Sequence, residues 1–156
     1  MEGFTVALAL ADAIPVLFFG ASMILVATKF GSPVFIIGAV LSTLAGCCKV
    51  LWKLILGAKK KDVKWLNKSF VPLQSAGFLL MLVSFILGFK KIDWSAVGAK
   101  IVSMPSVLFF VLWIAMMCAM VWYRKNRFKN DDAKSNWTAQ IINSVAQASL
   151  FLAILL

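Results

Sequence analysis

The stretch Ile101 to Tyr123, IVSMPSVLFFVLWIAMMCAMVWY, decides the fold, because 23 consecutive residues carry no charged side chain. A helix rises about 1.5 Å per residue, so about 20 apolar residues cross the hydrocarbon core of a bilayer. Lipid offers a bare peptide group no hydrogen-bond partner, so such a run spans as a helix. Four more long apolar runs flank it, two of them interrupted by charged residues: Phe4 to Thr28, Pro33 to Gly57, Val71 to Phe89 and Trp137 to Leu156. The expected fold is all-α, an integral membrane bundle of five transmembrane helices forming one domain over residues 1–156.

Composition agrees. The chain is 62% hydrophobic, with a mean hydropathy of +0.94, whereas soluble domains sit near 45–50% apolar. The first run is too long and uninterrupted for a signal-peptide core and lacks a basic segment before it, so it reads as a retained span. The last run stops at Ala153-Ile154-Leu155-Leu156 without a polar flank, an ending that leads one to expect a few further residues.

The connections alternate in character. Gly31, Ser32 and Pro33 make a tight turn, and proline suits a first helical turn because its missing donor would be unpaired there. Residues 58–70 form a basic loop with Lys59, Lys60, Lys61, Lys64 and Lys68; Val63, Leu66 and Phe70 give part of it helical spacing. A short polar link with Lys90, Lys91, Asp93 and Trp94 leads to the fourth span, and residues 124–136 form a second basic loop. Eleven lysines and arginines fall on one side and four on the other, with Lys49 inside a span. The positive-inside rule then places the N-terminus and both basic loops in the cytoplasm and the C-terminus outside. Trp52, Trp65, Trp122 and Trp137 near one boundary and Trp94 near the other fit interfacial belts. The expected location is a cell (inner) membrane.

The net charge of +10 resides mainly between apolar runs. That suits anionic headgroups at the cytoplasmic face and excludes nucleic acid as a partner. Histidine is absent, which removes the commonest metal ligand and the commonest general base at neutral pH. The three cysteines, Cys47, Cys48 and Cys118, lie in apolar runs, and adjacent Cys47 and Cys48 point about 100° apart on a helix. No cofactor and no metal site is expected.

Six residues stand out as candidates for ligand binding: Asp12, Lys49, Gln74, Gln140, Asn143 and Gln147. Asp12 is the only acidic residue inside a span. Counted from Phe4 and from Gly57, Asp12 and Lys49 each lie eight residues in, about 12 Å deep. An isolated charge in lipid costs at least about 2.5–3.5 kcal/mol, so the two are expected to pair, while Lys53, one turn nearer the surface, is expected to snorkel. Pro15 frees the carbonyl of Ala11 beside Asp12, which fits either a cation site or a simple bend. Gln140, Asn143, Ser144 and Gln147 recur at i, i+3, i+4 and i+7 and form one face that must turn away from lipid. Gln74 aligns with Gly77, Phe78, Met81 and Ser84, and Gly38, Ser42 and Gly46 make a small-residue pattern that favours close packing.

All six candidates map to the cytoplasmic half, and the outer half carries little beyond serines. A polar pocket open to the cytoplasm is the expectation, with interhelical glue as the plainer alternative. Pro33 and Pro105, Cys47 and Cys118, and Gln74 and Gln147 recur 71 to 73 residues apart, which raises an internal repeat. Three functions follow: a transporter or ligand-binding membrane protein, small molecule or ion; an accessory or scaffold protein that binds a partner membrane protein or a second copy of itself; and an integral-membrane enzyme. The enzyme ranks last, because one intramembrane acid without histidine assembles no nucleophile–base pair.

Overall fold

The computed structural model describes residues 5–129 and 132–156. Phe4, the expected start of the first span, and residues 130–131 of the second basic loop lie outside the described residues. The described residues form six α-helices: α1 (Val6–Phe30), α2 (Pro33–Lys59), α3 (Lys64–Gly88), α4 (Trp94–Val102), α5 (Ser106–Asn126) and α6 (Ala133–Leu155). A single 3-10 turn, Phe89–Lys91, joins α3 to α4. All but α4 are long and apolar enough to cross a membrane, so the five-span architecture holds. We refer to the end of the bundle with the two basic loops as the basic end.

Local chemistry sets the boundaries. Thr5 caps α1 by accepting from the Leu8 amide at 3.3 Å. Gly31 ends it at φ 62°, a left-handed conformation glycine adopts without a side-chain clash. Ser32 caps α2 and Pro33 opens it as expected. Asp132 caps α6, accepting from the Lys134 and Ser135 amides.

Two boundaries differ from expectation. The third helix starts at Lys64, so Leu66 and Phe70 of the first basic loop belong to it and Pro72 lies inside it. The fourth apolar run is not one helix. Pro105 lacks an amide donor and disfavours a helical residue before it, so the chain breaks at Ser103–Pro105. The break leaves α4 as a separate helix, capped by Asp93, whose carboxylate accepts from the Ala96 amide at 3.0 Å.

The spans form a row in the order α3, α2, α1, α6, α5, each packed on the next. Consecutive spans α3 and α5 therefore stand at opposite ends of the row without an extended interface. Residues 89–105 bridge them across the end away from the basic loops. There α4 packs on α5, while Trp94 meets the tilted ring of Phe89 in the 3-10 turn (centroids 4.7 Å apart) and, edge-on, that of Phe85 near the end of α3 (5.9 Å). The α2–α3 and α5–α6 pairs flank α1, as a duplication would arrange them. However, α1 meets the first helix of one pair, α2, and the second helix of the other, α6. The two halves thus share helix pairing but not docking.

Small residues set the closest approach. A methyl group on Gly38 would lie 2.6 Å from the Gly77 carbonyl oxygen, and one on Gly77 equally near the Gly38 carbonyl oxygen. The expected role of the Gly38-Ser42-Gly46 pattern in packing within the bundle is thus observed, with Gly46 closed on Val16 of α1 rather than on α3.

Candidate functional site

At the basic end Asp12 pairs with Lys53, Nζ to Oδ2 3.1 Å, and both side chains are buried, at 8% and 1% exposure. The expected Asp12–Lys49 pair is therefore corrected. So is the expectation that Lys53 snorkels. Two features of helix geometry explain the exchange.

The first is azimuth. A step of four residues overshoots a 3.6-residue turn by about 40°, so Gly38, Ser42 and Gly46 drift around α2. Gly38 and Ser42 face Gly77 of α3, whereas Gly46 faces Val16 of α1. Lys49 is seven residues beyond Ser42 and keeps its face; its ammonium lies 4.5 Å from the centroid of the Phe70 ring of α3. Lys53 is seven beyond Gly46 and shares the face toward α1.

The second is lean. Gly46 packs on Val16 and Gly57 on Thr5 and Val6, so Asp12 lies between the levels of Lys49 and Lys53. Helical side chains tilt toward their own N-terminus. On antiparallel helices the Asp12 carboxylate tilts toward the basic end and Lys53 tilts inward, so the two meet. Lys49 still lies within electrostatic reach of Asp12, Lys53 and Arg124.

A plug closes the pair from the basic loops. Leu8, Trp52, Leu56 and Leu66 form a buried cluster backed by Cys48, Ile55 and Val63. The Trp52 indole donates to Asp62 Oδ1 at 2.8 Å and ties the plug to the loop. The ion pair is thus sealed at the end where the sequence leads one to expect an opening.

The remaining candidates are distributed over the row. Phe18 of α1 stacks on Phe151 of α6 with centroids 5.7 Å apart. These helices run parallel, so Asp12, six residues before Phe18, is level with Val145, among Asn143, Ser144 and Gln147. Gln140 is buried at 8% exposure and Asn143 is half-buried. The side-chain oxygens of Gln140 and Gln147 are buried without a hydrogen-bond partner among the described residues. Gln74 is half-buried on α3, two helices away from α6 on the far side of α2 and α1. The structure therefore joins Asp12 to a lysine and sets the α6 amides at its level, but does not gather Gln74 with them.

The opposite end holds a cavity of about 810 Å³. It is lined by the α1–α2 turn, by the ends of α3, α5 and α6, and by α4. Phe35, Phe110, Ile101 and Ile154 give it an apolar lining, while Lys29, Lys91, Lys100 and Asp93 supply the charges. One wall is pinned by Ser84, which donates to Ser32 Oγ at 2.6 Å. None of the six sequence candidates lines it. The missed signal was Asp93 as a cap, followed by Trp94, Val97 and Ile101 at i, i+3 and i+7. That is a short amphipathic helix, hidden in sequence by its continuity with the next span. A second hollow, about 630 Å³, is lined by α5 alone (Met117, Cys118, Val121, Trp122, Lys125, Asn126) and so lacks an opposing wall.

Comparison with protein-family models, curated proteins and solved structures finds no match. The chain is a small polytopic membrane protein, and its function rests on its own geometry.

Proposed function

We propose that this protein binds a small molecule, for transport or sensing, in the cavity beneath α4. The carrying observation is the cavity itself. Its volume of about 810 Å³ lies in the range of about 300–1,000 Å³ usual for small-molecule sites, and an apolar lining with a few polar groups is the usual composition of such a site. All six helices, the turn between α1 and α2, and the 3-10 turn contribute residues to it.

In this reading Asp12, Lys49, Gln74, Gln140, Asn143 and Gln147 hold the helices in place rather than a ligand. The charge bias supports basic loops in the cytoplasm, against anionic headgroups of a cell membrane, and the cavity on the outer side. The scaffold reading draws on α5, whose outward face (Leu108, Val111, Ile114, Val121) is exposed and apolar. Lipid covers such a face as well as a partner helix would, so that observation weighs less.

Filling the cavity tests the proposal. Ala96 lines it from α4, and Ala96→Trp places an indole inside. Native mass spectrometry of the wild-type protein, gently extracted, is expected to show a bound small molecule that Ala96→Trp loses while keeping its melting temperature. An equal complement of bound molecules in both proteins, or none in either, sinks the proposal.

A further inference from the structure

We infer that the ligand is an anionic amphiphile: an alkyl chain in the apolar part of the cavity, with its negative head held by Lys29, Lys91 and Lys100. This inference rests on the cavity reading above and adds the chemistry of the occupant.

Charge argues for the head. Among the described residues the lining carries three lysines against one aspartate, a surplus of two positive charges. Asp93 is moreover occupied, since its carboxylate accepts from the Ala96 amide at 3.0 Å as the cap of α4. The lysines come from three separate elements: the end of α1, the 3-10 turn and the last turn of α4. Lys29 is remote in sequence from Lys91 and Lys100, and it shares a cavity with them only because residues 89–105 cross the end of the row. A solvated basic loop needs no such convergence.

Apolarity argues for the chain. Phe35, Phe110, Ile101 and Ile154 come from four different helices. Apolar surface of this kind removes methylenes from water without competing polar contacts. The open side of the row supports the same occupant. Helices α3 and α5 share no extended interface, so an alkyl chain can pass sideways between them from the bilayer while its head stays at the lysine level. A compact hydrophilic anion would leave the apolar part unused.

The chemistry is shared by a free alkyl carboxylate and by an anionic lipid of the bilayer. The full chain in phosphatidylcholine nanodiscs separates the cases, with empty nanodiscs subtracted. Dodecanoate is expected to bind, and dodecyltrimethylammonium is expected not to. Exposed Lys91 and half-buried Lys100 are replaceable without disturbing packing. Lys91→Gln and Lys100→Gln should each weaken dodecanoate about fivefold, the ratio that corresponds to the ~1 kcal/mol typical of a lysine near an anionic head. Lys91→Glu with Lys100→Glu should reverse the preference toward the cation. Selective retention of phosphatidylglycerol from a mixed nanodisc, lost in the double glutamine variant, supports the inference with bilayer lipid as the source. Equal binding of the cationic amphiphile, or dodecanoate affinity indifferent to both lysines, overturns it and leaves the cavity reading standing. Failure of every amphiphile, joined to no molecule displaced by Ala96→Trp, removes both.

Discussion

Lys53 is the largest fully buried side chain among the described residues, at 1% exposure, and its only carboxylate partner among them is Asp12. Each charge makes the burial of the other tolerable, so removing one leaves the other stranded in an apolar plug. Breaking such a pair costs about 3–5 kcal/mol, whereas replacing both partners by apolar residues is often neutral. Asp12→Asn and Lys53→Met are each expected to lower the melting temperature of the detergent-solubilised protein strongly. The double variant should recover most of the loss. Lys49→Met should lower it far less, because the Lys49 ammonium rests on Phe70. Additive losses in the Asp12–Lys53 pair, or a Lys49 effect as large as that of Lys53, would contradict the geometry. Which lysine pairs is a difference of about 40° around one helix. Counting depth from the ends of the spans found the acid and the right helix, but azimuth relative to two neighbours appears only once those neighbours are in place.

At the scale of elements, α2 is the pivot of the row, with α3 on one side and α1 on the other. Its contact with α3 brings backbone against backbone at Gly38 and Gly77. A flexible side chain could yield to an added methyl group; a carbonyl oxygen in a helix yields only if the whole helix moves. Gly38→Leu should therefore separate α2 from α3 and destabilise the protein by about 1–3 kcal/mol or more, the usual range for overpacking. Gly98→Leu, where nothing lies within 4 Å, is the control and should leave stability nearly unchanged. A thermal or denaturant titration in detergent checks both, and similar effects at the two positions would count against the close crossing. The small-residue pattern was legible in sequence as a packing device. That its last glycine serves a different neighbour from its first was not, since a four-residue step slowly winds around the helix.

At the scale of the molecule, the lateral order α3, α2, α1, α6, α5 makes the end-crossing link, and with it the cavity, possible. That order is open to cross-linking in a background without the native cysteines. Phe18→Cys with Phe151→Cys joins α1 to α6, whose rings are 5.7 Å apart between centroids, and is expected to cross-link efficiently in membranes. Leu80→Cys with Leu112→Cys joins α3 to α5 near mid-span and is expected to stay uncoupled. The reverse pattern would replace the row with a closed ring and leave no open side through which an alkyl chain could pass.

Five spans, the basic loops and the capping turns are properties of the sequence by itself. Length and apolarity are read against the fixed thickness of a bilayer, and caps depend on residues three or four positions away. Even the break at Ser103–Pro105 is local, written in Pro105 and masked only by apolar residues on both sides. What tertiary structure alone decided is which charges meet. The Asp12–Lys53 pair depends on how two antiparallel helices rotate and tilt their side chains. The convergence of Lys29, Lys91 and Lys100 on one cavity depends on consecutive spans standing at opposite ends of a row. Lipid gives one apolar helix no reason to prefer another, so neighbour choice falls to shape and small-residue contacts. Those belong to pairs of helices, and a single run of sequence does not contain them.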